Sequence, residues 1–126
     1  MNKKERCTMS YKVVRRNEAV TYEAAKHFDV RTTRLHNPED MPECNVVMGL
    51  SHFLPGGGAE MAPANFEMVY YIIEGEMTIT LLDDAGQENQ YVLQAGDSVH
   101  FNKGTQRASL NTGCVTAQML VIMIKK

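Results

Sequence analysis

The sequence predicts an all-β fold, an antiparallel sandwich or barrel built as one domain. Three observations carry this. Short runs rich in Val, Ile, Thr, Tyr and Phe recur along the 126 residues, as half-buried strands require. Clusters of Gly, Pro, Asn and Asp separate them and supply turn chemistry. After Phe28 no helical period is present, and no internal repeat is found. A chain of this length buries a core without staples.

In chain order, residues 1–10 are polar and read as a loose N-terminal segment, with residues 11–126 as the barrel domain. Tyr11 to Arg15 reads as a short strand, and Val20 to Phe28, with Ala24-Ala25, as a turn of helix. Val30 to Leu35 is β-branched and alternating; Asn37-Pro38-Glu39-Asp40 is a turn. Asn45 to Leu54 reads as a strand stopping at Pro55-Gly56-Gly57-Gly58, a flexible turn that could also offer amides to an anion. Val69 to Ile73 and Met77 to Leu82 are strands, and Asp83-Asp84-Ala85-Gly86 turns the chain back into Gln90 to Leu93. Ser98 to Phe101, Gln106 to Leu110 and Cys114 to Ile124 complete the set.

Two segments carry a glycine framework. The first runs from Gly56 through Met68 to Gly75; the second, GDSVHFNKGTQRASLN, runs from Gly96 to Asn111. Together they resemble the cupin family, whose motifs are G-x5-H-x-H-x3,4-E-x6-G and G-x5-P-x-G-x2-H-x3-N. Gly56, Gly75, Gly96, Gly104 and Asn111 fall in place without gaps. The resemblance spans Leu50 to Asn111 and implies a jelly-roll β-barrel. The family's metal-ligand positions hold other residues: Ala62 and Ala64 for two histidines, Met68 for the glutamate, Arg107 for the third histidine. Asn102 replaces the motif proline.

The resemblance also implies that these four positions face the barrel mouth. Strand alternation then adds Tyr70 and Ile72 from Met68, and Ser109 from Arg107. Ala62, Ala64, Met68, Tyr70, Ile72, Arg107 and Ser109 are therefore the candidate ligand-binding set. Transition metals need imidazole, thiolate or carboxylate donors, which this set lacks, and a guanidinium repels a cation. No metal or other cofactor is expected at the usual centre. Displaced ligands would have to come from Glu67, His52 and His100, although a one-residue displacement turns a side chain to the opposite face. His27 and His36 lie outside the motifs and read as structural.

A guanidinium in a partly apolar mouth needs a partner. Arg107 either clamps a carboxylate or phosphate on a small ligand or pairs internally with Glu60 or Glu67. For proton transfer, Tyr70, with a pKa lowered beside a cation, and His52 are the candidate catalytic pair. The leading expectation is a cupin that binds a compact anionic small molecule without a metal. The alternatives are a metal-independent isomerase, epimerase or lyase using Tyr70 and His52, and a metal-dependent enzyme with displaced ligands.

Composition bounds the partners. The formal net charge is −2 with no basic stripe, which argues against nucleic acid. No run approaches the ~18 apolar residues of a membrane span, and no apolar stretch follows the basic opening as a secretory leader requires. The three cysteines, Cys7, Cys44 and Cys114, lack metal or redox spacing and fit a cytoplasmic protein with reduced thiols. Cys44 and Cys114 read as small packing residues. The last strand is apolar on both faces: Val115, Met119, Val121 and Met123 alternate with Leu120, Ile122 and Ile124. A lone sheet keeps one face wet, so a homodimer is expected, the N-terminal segment being the other possible cover.

Overall fold

The computed structural model describes residues 10–41 and 43–125. Nine strands form it: β1 (Val20–Tyr22), β2 (His27–His36), β3 (Val46–Pro63), β4 (Glu67–Glu74), β5 (Glu76–Leu82), β6 (Glu88–Gln94), β7 (Ser98–Phe101), β8 (Gln106–Leu110) and β9 (Ala117–Ile124). Every pairing is antiparallel. The main sheet runs β6-β5-β8-β3-β9-β4-β7, with β2 added to β3 and β1 to β2. It curls into a nearly closed barrel of the jelly-roll kind, as the sequence predicts.

Strand β3 organises the barrel. Its first half lies between β2 and β9, pairing Phe53 with Val30 and with Ala117. Its second half leaves β9 and pairs with β8, Gly58 opposite Leu110 and Ala62 opposite Arg107. The glycine run between these halves is part of the strand, not a flexible turn. Gly57 and Gly58 are buried, and a Cβ on Gly58 would lie 2.1 Å from the Ser109 carbonyl oxygen. Gly57 and Gly58 let β3 touch the backbones of Asp29 and Ser109 at the bend. The run is not an anion cradle either, since the Gly56 amide donates to the Asn111 carbonyl at 2.9 Å.

The core is the inward face of the curl. Phe53, Ala64, Met68, Tyr70, Ile72, Met77, Ile79, Phe101, Ala117 and Met119 form one buried cluster. Burial of each large member contributes about 1.5–3 kcal/mol. Tyr70 and Phe101 meet edge to face, centroids 5.1 Å apart at 82°, a favoured aromatic arrangement. Asn111 closes one end. It is 2 % exposed; its amide donates to the carbonyls of Phe53 (3.0 Å) and Val115 (2.9 Å), and its oxygen accepts from the Gly113 amide (2.9 Å). Gly75 (φ +78°) allows the tight link from β4 to β5 beside the Ala117 backbone.

The N-terminal third departs from the sequence reading. Tyr11 to Arg15 form no strand; Tyr11 and Val13 are 65 % and 61 % exposed. Lys12 instead reaches Asp40 at 2.9 Å. Val20–Tyr22 is a strand, not a helical turn, because pairing with Thr32 to Arg34 overrides the weak local pattern. Asn37–Asp40 does turn, as a short 3-10 helix over Pro38–Asp40. Cys44 is half-buried and Cys114 is exposed, so Cys114 is not a packing residue. Cys7 lies outside the described residues.

Candidate functional site

The predicted inner set comes together on β3, β4 and β8. Alternation along β4 buries Met68, Tyr70 and Ile72 and leaves Tyr71 and Ile73 on the other face. Ala64 and Ser109 are buried, and Ala62 and Arg107 are part-buried. The Ala62–Arg107 cross-strand pair sets the guanidinium against β3. Arg107 Nη1 donates to the Ala62 carbonyl at 2.9 Å, and Nη2 lies 4.0 Å from Met68 Sδ. Its Nε is buried with no hydrogen-bond partner.

The internal ion pair open to Arg107 does not form. Among the described residues no carboxylate lies within salt-bridge distance of it. Glu67 turns outward and meets His100 Nε2 at 2.7 Å, and Glu60 is exposed. Arg107 is thus a cation set in an apolar wall beside the Ala62 carbonyl, the Met68 sulfur and the Tyr70 hydroxyl, with no carboxylate among the described residues.

Tyr70 is buried beside it. Burial pushes the phenol above its usual range, and the Arg107 guanidinium only partly opposes this. The lowered pKa expected from a nearby cation is therefore overturned: desolvation wins. His52 does not join Tyr70. Phe53 points inward and is 1 % exposed, so His52, one residue before it, faces out, opposite Arg31 on β2 and Gln118 on β9. Its pKa falls below the usual value, through burial first and then the charges of Arg31 and Arg16. The Tyr70–His52 proton-transfer pair is split by the sheet.

The displaced metal ligands also fail to converge. Glu67 and His100 meet each other on the outer face, while His52 sits on the same face across β9, opposite Gln118. Among the described residues no three of His, Cys, Asp and Glu are arranged to hold a metal ion. At the motif positions, alanine offers no donor, methionine a weak one and arginine a repelling charge. The residues present do not fit the metal that many members of the fold carry.

Part of the site carries no motif and was not read from the sequence. Ile79, Leu81, Tyr91, Leu93, Ser98 and Val99 line a cavity of about 300 Å³ at the open side of the barrel. Leu81 pairs with Arg107 and Val99 with Tyr70, so two lining residues are strand neighbours of the predicted set, although neither Arg107 nor Tyr70 lines the cavity itself. Only the pairing of β5 with β8, and of β4 with β7, reveals it.

The cupin domain family matches residues 49–123, which contain both glycine segments. The chain belongs to the cupin superfamily. A Mycobacterium tuberculosis (strain ATCC 25618 / H37Rv) protein named beta-D-galactosidase Rv1717 is 38% identical over 110 residues, covering 87% of this cupin and 90% of that protein. Two solved structures share the fold. The polyketide cyclase RemF of Streptomyces resistomycificus superposes with TM-score 0.73 at 18% identity, over 92% of this chain and 80% of that one. An RmlC-like cupin from Shewanella frigidimarina gives 0.69 at 14% identity, over 93% of each. At such identities the likeness is one of fold, and cupin folds host many chemistries.

Proposed function

We propose that this cupin binds a compact small molecule bearing a carboxylate in the barrel mouth, with Arg107 as the anion clamp and no metal at the usual centre. The observation that carries this reading is the unpaired guanidinium. A charge set in an apolar wall is costly unless an anion completes it, and nothing described in the chain does so. A ligand with a carboxylate head would meet the need of Arg107 for an anion. The sugar in the relative's name supports a hydroxylated body, so galacturonate is the first probe and neutral galactose its control.

The test is calorimetric titration of both sugars into the wild type and Arg107→Met. Loss of a charge-assisted clamp is expected to weaken galacturonate about 10–100-fold and leave galactose unchanged. The apo protein is expected to keep or gain thermal stability, because the variant removes an uncompensated charge. Equal weakening of both sugars, or a marked loss of apo stability, would assign Arg107 to the framework.

Glycoside hydrolysis is a second reading, favoured by the 38% identical relative alone. It meets an obstacle inside the barrel. Glycosidases commonly work with two carboxylates, and no buried Asp or Glu is found among the described residues. Tyr70 is the inner-face group able to donate a proton. Release of nitrophenol from an aryl β-galactoside, lost in Tyr70→Phe and kept in Arg107→Met, would favour hydrolysis over simple binding.

A further inference from the structure

We propose that a groove on the outside of the barrel, over β5, β6 and β8, is a binding site for a neutral saccharide. It is separate from the barrel mouth and stands independently of Arg107. Phe28, Val92 and Leu110 give it apolar sides, and Glu60, Thr78, Thr80, Gln90 and Thr112 supply polar groups, around a volume of about 940 Å³. Small-molecule sites span about 300–1,000 Å³ and combine apolar walls with a few placed polar groups.

Register builds the groove. On β5, Met77 and Ile79 enter the core, so Thr78 and Thr80 turn to the opposite face. Across the ladder Val92, Thr78 and Leu110 form one row, and Gln90, Thr80 and Ala108 the next. Gly58 continues the first row beyond Leu110, and Phe28 stands opposite Gly58. In a regular strand Phe28 would share a face with Val30, which packs against the core. The pairing is irregular between these two residues, and such a break re-aims a side chain. Phe28 lines the outer groove instead and is 40 % exposed.

The chemistry of the lining selects the ligand. The Thr78 and Thr112 hydroxyls bond each other at 2.9 Å. A hydroxyl carries one hydrogen and two lone pairs, so the pair keeps capacity for a ligand. Thr80 is 8 % exposed, and its hydroxyl has no such partner among the described residues. Glu60 is exposed, with no cation in salt-bridge distance among the described residues. It is the one charged residue in the lining. A lone carboxylate repels phosphates and carboxylates but accepts charge-assisted hydrogen bonds from hydroxyls. A sugar ring offers both halves of the match: an apolar C–H face for Phe28, and an edge of hydroxyls for Glu60, Gln90 and the threonines.

The test is amide NMR of the isotope-labelled full chain, titrated with lactose, cellobiose and maltose and, separately, with galacturonate. At least one neutral disaccharide is expected to shift the Thr78, Thr80, Gln90 and Thr112 amides in a saturable way and to leave those of Ala62 and Met68 in place. Galacturonate is expected to leave the groove amides unmoved. Glu60→Gln and Phe28→Ala, with the fold of each confirmed by circular dichroism, are each expected to weaken the disaccharide about 10-fold. The absence of saturable shifts with all three disaccharides overturns the proposal. So do shifts confined to Ala62, Met68 and Arg107, which would move the sugar to the mouth, and groove shifts that survive both substitutions unchanged. Galacturonate held in the groove as tightly as the neutral sugars overturns the selection assigned to Glu60.

Discussion

The two faces of β4 differ in fate though not in character. On the inner face Met68, Tyr70 and Ile72 are 5 %, 5 % and 0 % exposed; on the outer face Tyr71 and Ile73 are 43 % and 44 % exposed. Both sets are apolar and β-compatible, so hydropathy alone does not say which belongs to the core. What separates them is facing: the inner set packs into the core with Phe101, Val99 and Met119 of the neighbouring strands, and the outer set turns away from it. An apolar residue in a strand stabilises the fold only where a second layer covers it.

The sharpest way to break this comparison is to truncate adjacent residues. Ile72→Ala removes a fully buried side chain and is expected to cost about 2–5 kcal/mol. Ile73→Ala, one position along, is expected to cost less than about 1 kcal/mol. Denaturant melts of both at one protein concentration decide it. Similar losses would mean that the outer face is covered as fully as the inner one.

A second test moves from side chains to backbone. Gly58 sits where β3 leaves β9 for β8, and an added Cβ meets the carbonyl oxygen and carbon of Ser109 at 2.1 and 3.0 Å. Backbone atoms cannot swing aside as a side-chain tip can. Gly58→Ala is expected to destabilise by about 1–3 kcal/mol, as overpacking does, with the β3–β8 pairing spread. Hydrogen exchange should show faster exchange at the Asn111 amide, which bonds to the Gly57 carbonyl. A neutral variant would show that the bend is loose and the glycines dispensable.

The same contrast explains what the sequence could and could not reveal. The strands from Glu67 onward were legible because each run is rich in β-branched, aromatic or other apolar residues and is bounded by turn residues. The glycine framework located the inner face, and period-two counting from Met68 placed Tyr70 and Ile72 with it in the core. The bend in β3 was misread because Pro55 and three glycines carry the local signature of a turn, while their reason, backbone contact with β8 and β2, is a long-range fact. The cavity walls on β5, β6 and β7 were invisible because only pairing brings them beside Arg107. The Tyr70–His52 pair failed because Tyr70 faces the core while His52, next to the inward Phe53, faces out. Parity holds along one strand, and assigning a face to His52 required knowing that Phe53 points inward.

His52 also gives the smallest effect, readable as a dependence on pH. Its imidazole is held below the usual pKa by burial and then by Arg31 and Arg16. Between the folded and unfolded pKa values the unfolded chain binds more protons, so stability rises with pH in that window. Above the ordinary histidine value of about 6.5 the imidazole is neutral in both states and no penalty applies. As pH falls through that value the unfolded state gains a proton that the folded state resists, and stability is lost until the folded pKa is passed. Thermal melts from neutral to mildly acidic pH are expected to show this decline, shallower in His52→Gln than in the wild type. Identical slopes would place the penalty on other groups.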